Sequence, residues 1–269
     1  MAAGKRCWTA FPSRARPRTT RDRVVVPTVA GLAAVAIWWV ASQFLPPLLL
    51  PGPDEVAARV LDQALSGVAG RYLWPTVGPA LLGVCLAAAT AVVLGVLVTH
   101  SRPLAAVVEP FVALSQTVPL VAIAPLLVLW LGYGTLPIAV LCAIISFFPM
   151  VTTTIVGFRH LDARVLEQAV LDGAGPWALL RHVEFPMAAP AVLAGIRAGS
   201  VLGMTGAVVG EFVMGGRGLG TLLTLSRQAG DTVGVFTVIV WISAVAMALH
   251  ALVAAAERIA TTHVQGEDS

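Results

Sequence analysis

What most limits the fold of this chain is the length of its uninterrupted apolar runs. Six of them, at about residues 25–45, 77–99, 105–130, 136–157, 188–213 and 235–256, are long enough to cross a hydrocarbon core as helices, which takes roughly 20 residues each. A backbone in lipid must satisfy its own hydrogen bonds, so a spanning segment is a helix or part of a closed barrel, and the alternating pattern of a barrel is absent. Composition agrees. The chain is 58% hydrophobic and 12% charged, where a soluble domain carries roughly 25% charged residues. The expected fold class is therefore an all-α membrane protein of six transmembrane helices.

Charge sets the expected orientation. Lys5, Arg6, Arg14, Arg16, Arg18, Arg21 and Arg23 precede the first run, Arg102 follows the second, Arg159, Arg164 and Arg181 follow the fourth, and Arg258 follows the last. The other side holds only Arg59, Arg71, Arg217 and Arg227, and Arg197 falls inside the fifth run. By the positive-inside rule both termini and the 158–187 loop are cytoplasmic. A basic start before an apolar run also describes a secretory signal peptide, but the first 23 residues are too long and the run too extended for one. With the basic residues at span ends, the net charge of +3 gives no reason to invoke nucleic acid.

Three regions follow: a disordered cytoplasmic tail over 1–23, a transmembrane domain over 24–258, and a second cytoplasmic tail over 259–269. Pro46, Pro47, Pro51 and Pro53 end the first span, and "EVAARVLDQALSGVAG" reads as an amphipathic interfacial helix with Val56, Val60, Leu61, Ala64 and Leu65 on one stripe. The third span contains Pro119 and Pro125, and the fourth Pro137 and Pro149. Internal prolines free carbonyls that lipid cannot satisfy, so their clustering marks either a lined pathway, with Gln116, Thr117, Ser146 and Thr152 to Thr154 as polar partners, or ordinary packing kinks. Gly199, Gly203, Gly206 and Gly210 allow close helix approach in the fifth span. Glu211, near the end of that span, is either a functional group at a gate or a side chain that reaches the interface or pairs with Arg217.

Chemistry is missing elsewhere. "GGRGLG" (215–220) has no preceding strand and no following Gly-Lys-Ser/Thr, so it is neither a dinucleotide nor a phosphate loop and reads as a flexible connection. His100, His160, His182, His250 and His263 lack metal spacing, Cys7, Cys85 and Cys142 are scattered, and no nucleophile elbow occurs. No catalytic residue, metal site or bound cofactor is expected. A conduit is a better reading than an enzyme.

One stretch breaks the apolar pattern: "LEQAVLDGAGPWALLRHVEFPMAAP" (166–190). Asp162 can cap a helix on which Leu161, Val165, Leu166, Ala169 and Val170 share a face. Glu167 points away from that face, and Leu171 is an apolar residue the pattern leaves uncovered. Gly173 and Gly175 end the helix, Pro176 suits the start of a second one, and Pro186 breaks the chain before span five. The residues alone leave two readings: a helical pair offered to a partner, or an amphipathic linker lying on the bilayer.

Glu167-Gln168-Ala169, three residues, Gly173, nine residues and Val183-Glu184-Phe185-Pro186 resemble the "E-A-A, three, G, nine, I-x-L-P" loop of permease subunits of binding-protein-dependent ABC importers. Gln168 replaces an Ala, and Val183 and Phe185 stand for Ile and Leu. "SQTVPLVAIAPLLVLWLGYG", "FFPMVTTTIVGFRHLD" and "GAVVGEFVMGGRGLG" resemble the sulfonate, nitrate and taurine branch, so that the likeness covers roughly residues 48–258. It implies the six-helix fold of type I ABC importer permeases, with a cytoplasmic coupling helix in which Glu167, Ala169, Leu171, Gly173 and Pro186 meet a separate ATPase. It further implies a second permease copy, an ATPase dimer that hydrolyses the ATP, an extracytoplasmic solute-binding protein, and a place in the plasma or inner membrane of a prokaryote. The translocation path would run by Gln116, Pro119, Pro125 and Glu211. The same segments resemble permeases for thiamine-precursor pyrimidines and riboflavin, so the solute stays open among these and the sulfonates. The competing class is a secondary transporter driven by an ion gradient, which would show inverted repeats and ionisable residues at the midplane, and neither is found.

Overall fold

A computed structural model of the chain describes the backbone of residues 20–115, 117 and 119–265, and the side chains of 25–115, 117 and 119–255. Residues 1–19 of the expected tail, and Gln116 of the expected path, lie outside the described residues. The chain divides into two compact units, residues 1–54 and 55–269. In the first, α1 (Thr20–Phe44) leads into a proline-rich turn, and Trp38 Nε1 donates to the carbonyl of Pro51 at 3.1 Å. The helix begins at Thr20, inside the expected tail.

The second unit opens with α2 (Pro53–Leu65), which starts at the boundary between the two. The amphipathic stretch stops there rather than running to residue 70, because Gly67 adopts a left-handed φ of 72° and Val68 already belongs to the next helix. That helix, α3 (Val68–His100), is longer than the apolar run within it. α4 (Arg102–Ser115), a 3-10 turn (Leu120–Ile123) and α5 (Ala124–Leu131) follow, then α6 (Thr135–Arg159), α7 (Ala163–Leu171) and α8 (Pro176–Leu179). A π-turn (Leu180–Glu184) leads without interruption into α9 (Phe185–Met214), and α10 (Leu219–Gln228) and α11 (Thr232–Gln265) complete the chain.

Among the described residues five helical stretches are long and apolar enough to span a membrane, and a sixth if α4 and the stretch from Leu120 to Leu131 count as one bent span. The third expected span is thus not one continuous helix. Pro119 stands just before the 3-10 turn and Pro125 in the first turn of α5, positions where a missing N–H costs nothing, so these prolines begin helices instead of kinking one. Pro137 likewise falls in the first turn of α6, and only Pro149 lies in its interior. Pro186 does not break the chain either. It sits in the first turn of α9, where the wider hydrogen-bond spacing of the preceding π-turn accommodates a residue without an N–H, and helix runs on from Pro176 to Met214. α11 likewise remains helical to Gln265, through most of the tail expected from residue 259.

α3, α6 and α9 form the centre of this unit. Their contacts are close because small residues face one another: a methyl on Gly83 would strike the carbonyl of Ala139, one on Gly199 the side chain of Met150, and one on Gly203 both Val84 and Ser146. Near one end the core holds Leu141, Cys142, Met204 and Ala207, and towards the other Ala91, Met150, Val151 and Ile155. Cys142 is an apolar core residue. Ser146 donates to the carbonyl of Gly199 at 2.9 Å, while Thr152, Thr153 and Thr154 donate to carbonyls of their own helix. The hydrogens of these hydroxyls are thus bound within the protein.

Candidate functional site

Two ends of α9, about 45 Å apart at the rise of an α-helix, carry the polar features. At its N-terminal end is the helical pair α7–α8. Asp162 caps α7 by accepting the amide of Arg164 at 2.9 Å. The helix closes at Gly173, whose φ of 91° is left-handed; Gly173 N donates to Val170 O and Ala174 N to Ala169 O, both at 3.0 Å. This is the paired-bond termination that glycine favours. Nothing in α7 or α8 is buried. Glu167 and Gly173 are exposed, Ala169 and Pro186 are half-buried, and Leu171 is 86% exposed.

The pair is anchored from behind. His100, the last residue of α3, lies 2.8 Å from Glu184 Oε2, and Glu184 is buried within the π-turn. Phe158 packs against the rings of both His100 and Phe185, and Leu161 joins the small cluster of Phe158, Ala188 and Val192. Arg159 of α6 pairs with Glu109 of α4 at the same end. Their pairing could not be read from the sequence, since 84 residues separate them.

At the other end is Glu211. It neither reaches an interface nor pairs with Arg217: it is 2% exposed, and its Oε2 accepts the amides of Gly220 at 2.8 Å and Thr221 at 3.3 Å. Thr76 of α3 accepts the amide of Leu219 at 2.8 Å. The first turn of α10 is thus capped by two other helices, which place a carboxylate at the positive end of its dipole. "GGRGLG" is therefore not a flexible connection throughout, because its last two residues are helical and Leu219 is fully buried. Glycine is needed here. A methyl on Gly218 would overlap Glu211 Oε1 and Thr76 Oγ1, and one on Gly220 would strike Glu211 and the carbonyl of Val208.

The Thr76 hydroxyl has one hydrogen and two acceptors within reach, the Glu211 carboxylate and the carbonyl of Tyr72 at 3.3 Å. With the hydrogen given to Tyr72, Glu211 Oε1 is buried with no hydrogen-bond partner, as is Thr221 Oγ1. Beside this junction lies a cavity of about 740 Å³, whose walls include Trp74, Pro75, Pro79, Ile138, Glu211 and Arg217. Pro119 and Pro125 are exposed and form no part of its lining. Among the described residues no cluster of three or more potential metal ligands occurs.

A family model described as a binding-protein-dependent transport system inner membrane component matches residues 91–259. The chain is 37% identical over 231 residues to the riboflavin transport system permease protein RibX of Chloroflexus aurantiacus, which covers 85% of this chain and 86% of that one. It is 28% identical over 242 residues to the taurine transport system permease protein TauC of Escherichia coli, with 87% of each covered. A solved inward-facing conformation of the MetNI methionine ABC transporter shares its fold with a TM-score of 0.63 and 19% identity, over 71% of this chain and 95% of that one.

Proposed function

The chain belongs to the family of binding-protein-dependent transport system inner membrane components, and from that premise we propose how its parts divide the work. It is the membrane-spanning permease subunit of an ABC importer and not itself an enzyme; a permease of this family works with an ATPase and a binding protein. ATP is bound and hydrolysed by an ATPase dimer beneath the membrane, and this chain binds no cofactor. Two copies of the permease pair around the path, with both termini and the α7–α8 end in the cytoplasm. A binding protein delivers a small solute to the α10 end, from the group that includes riboflavin, thiamine-precursor pyrimidines, and sulfonates, taurine or nitrate. Glu211 and the 214–220 segment stand at the gate.

The observation that carries this reading is Leu171. A leucine 86% exposed at the end of a well-capped helix presents apolar surface that a partner must cover. Glu167 and Ala169 complete the docking surface, Gly173 fixes the turn after it, and Pro186 passes its movement into α9. The ATPase cleft grips α7, and closure on ATP moves α9 through the π-turn that Glu184 ties to α3.

Co-purification of the ATPase with a tagged permease tests this. Leu171→Asp is expected to lower the ATPase recovered by about ten-fold, the effect of losing a central anchor, while the permease stays in the membrane at wild-type abundance. Undiminished recovery, or a fall in abundance that matches the fall in recovery, would remove α7 as the coupling helix.

A further inference from the structure

The contact between His100 and Glu184 is built more closely than packing requires. Glu184 is buried in the π-turn, and its Oε2 lies 2.8 Å from Nε2 of His100, the last residue of α3. The other ring nitrogen, Nδ1, lies 2.9 Å from the carbonyl of Val96 and 3.2 Å from the hydroxyl of Thr99, whose own hydrogen is directed to the carbonyls of Gly95 and Val96. Both nitrogens thus face acceptors. A neutral imidazole has one hydrogen to donate, so with Glu184 ionised both bonds are made when the ring carries two, and the bond to Glu184 is then charge-assisted. The other ion pair at this end, Arg159 with Glu109, has both side chains open to water, where such a pair contributes little.

The bond also lies where movement of the coupling end has to be passed on. Nothing in α7 or α8 is buried, and helix runs on from Pro176 into α9, so a pull on α8 reaches α9 through the backbone itself. α3 has no such route. At this end it meets α9 through Val92 and Val96, which pack on the cluster of Phe158, Ala188 and Val192, and apolar contacts have no direction, so they let one helix slide on another. The bond from His100 to Glu184 fixes a direction. We propose that His100 and Glu184 are positioning residues for transport, a joint that makes α3 move with the π-turn when the ATPase moves α7 and α8. Without the bond the coupling helices still dock and ATP is still hydrolysed, but α9 shifts against α3 and less solute is carried for each ATP. A contact that served only the fold would show itself in stability and leave that ratio alone.

The inference rests on the importer reading, and the experiment keeps the two apart. Permease, ATPase and binding protein are reconstituted in vesicles, uptake of riboflavin, taurine and a thiamine-precursor pyrimidine is measured, and uptake of the solute that the wild type carries is divided by the ATP hydrolysed. Removing one partner leaves the other unpaired, so both are replaced: His100→Phe with Glu184→Met takes away the bond and leaves no lone charge. Uptake per ATP is expected to fall about ten-fold, the worth of one hydrogen bond to a charged group, while the abundance of the permease, its unfolding midpoint and the ATPase recovered with it match the wild type. His100→Gln, which keeps a side-chain N–H for Glu184, should restore most of the ratio. Glu184→Gln, which keeps the shape and loses the charge, should show a smaller fall of the same kind and decides the matter if the double variant does not fold. An unchanged ratio in the variants that lose the bond or its charge, a midpoint that falls in step with uptake, or a His100→Gln ratio as low as that of the double variant each overturns the joint. Wild-type vesicles that take up none of the three solutes, or do so without ATP, overturn the importer reading and the joint with it, whereas ATP-driven uptake that the variants leave untouched removes the joint alone.

Discussion

The two ends of α9 solve opposite problems with the same kinds of residue. At the α10 end a glutamate and a threonine are buried, glycines bring the backbone up to them, and three amides of α10 are satisfied by α3 and α9. At the α7 end a glutamate and a leucine are exposed, and the helix that bears them satisfies its termini from its own neighbours, Asp162 and Gly173. A buried acidic group does its work within the chain. An exposed leucine on a self-sufficient helix is surface held ready for another molecule. Loss of the first should therefore register as stability, and loss of the second as binding.

The largest expected effect puts that contrast under direct strain. Glu211→Ala removes the acceptor for the buried amide of Gly220 and the half-buried amide of Thr221, which costs on the order of 3 kcal/mol. Glu167→Ala, on an exposed face, should change stability by no more than about 0.5 kcal/mol. Thermal unfolding of the two variants in detergent measures both. Similar midpoints would mean that the α10 end is as loosely built as the α7 end.

Glycine substitutions sharpen the comparison at smaller scale. Gly218→Ala puts a methyl onto Glu211 Oε1 and Thr76 Oγ1, so the capping triad must shift and about 2 kcal/mol is expected to be lost. Gly173→Ala meets nothing within 4 Å, yet its φ of 91° is left-handed, which costs about 1 kcal/mol of strain confined to the end of α7. The first variant should lower the unfolding midpoint of the whole bundle. The second should leave that midpoint in place and loosen only the α7–α8 turn, visible as faster hydrogen exchange of the Ala174 amide.

The same division explains what could be read in advance. α7 was legible residue by residue, because Asp162, Gly173 and Pro176 act on the chain within a few positions of themselves. The glycines of span five were legible too, since small residues at a helical spacing announce a close neighbour. α10 was not. Its first turn, Gly218-Leu219-Gly220, has no side-chain cap of its own, and its caps come from Glu211 and from Thr76, the latter 143 residues away. A glycine-rich run without a local cap looks like a loop until the distant acceptors are in place. The third span is bent where its prolines stand, but their local role was not legible: Pro119 precedes the 3-10 turn and Pro125 opens α5, so each begins a helix. The pairing of His100 with Glu184 left no local trace at all.

The smallest effect bears on whether α7 is independent of the bundle. Asp162→Ala removes one bond, from the amide of Arg164 at 2.9 Å, and caps of this kind contribute about 1 kcal/mol to their helix. Since nothing in α7 is buried, that loss should remain local: the amides of Arg164 and Val165 exchange several-fold faster, while the unfolding midpoint of the permease stays where it is. Addition of the ATPase should then restore slow exchange, because docking holds α7 in the conformation that the cap otherwise secures. A fall in the midpoint would show that α7 supports the bundle, and the contrast between the two ends of α9 would lose its basis.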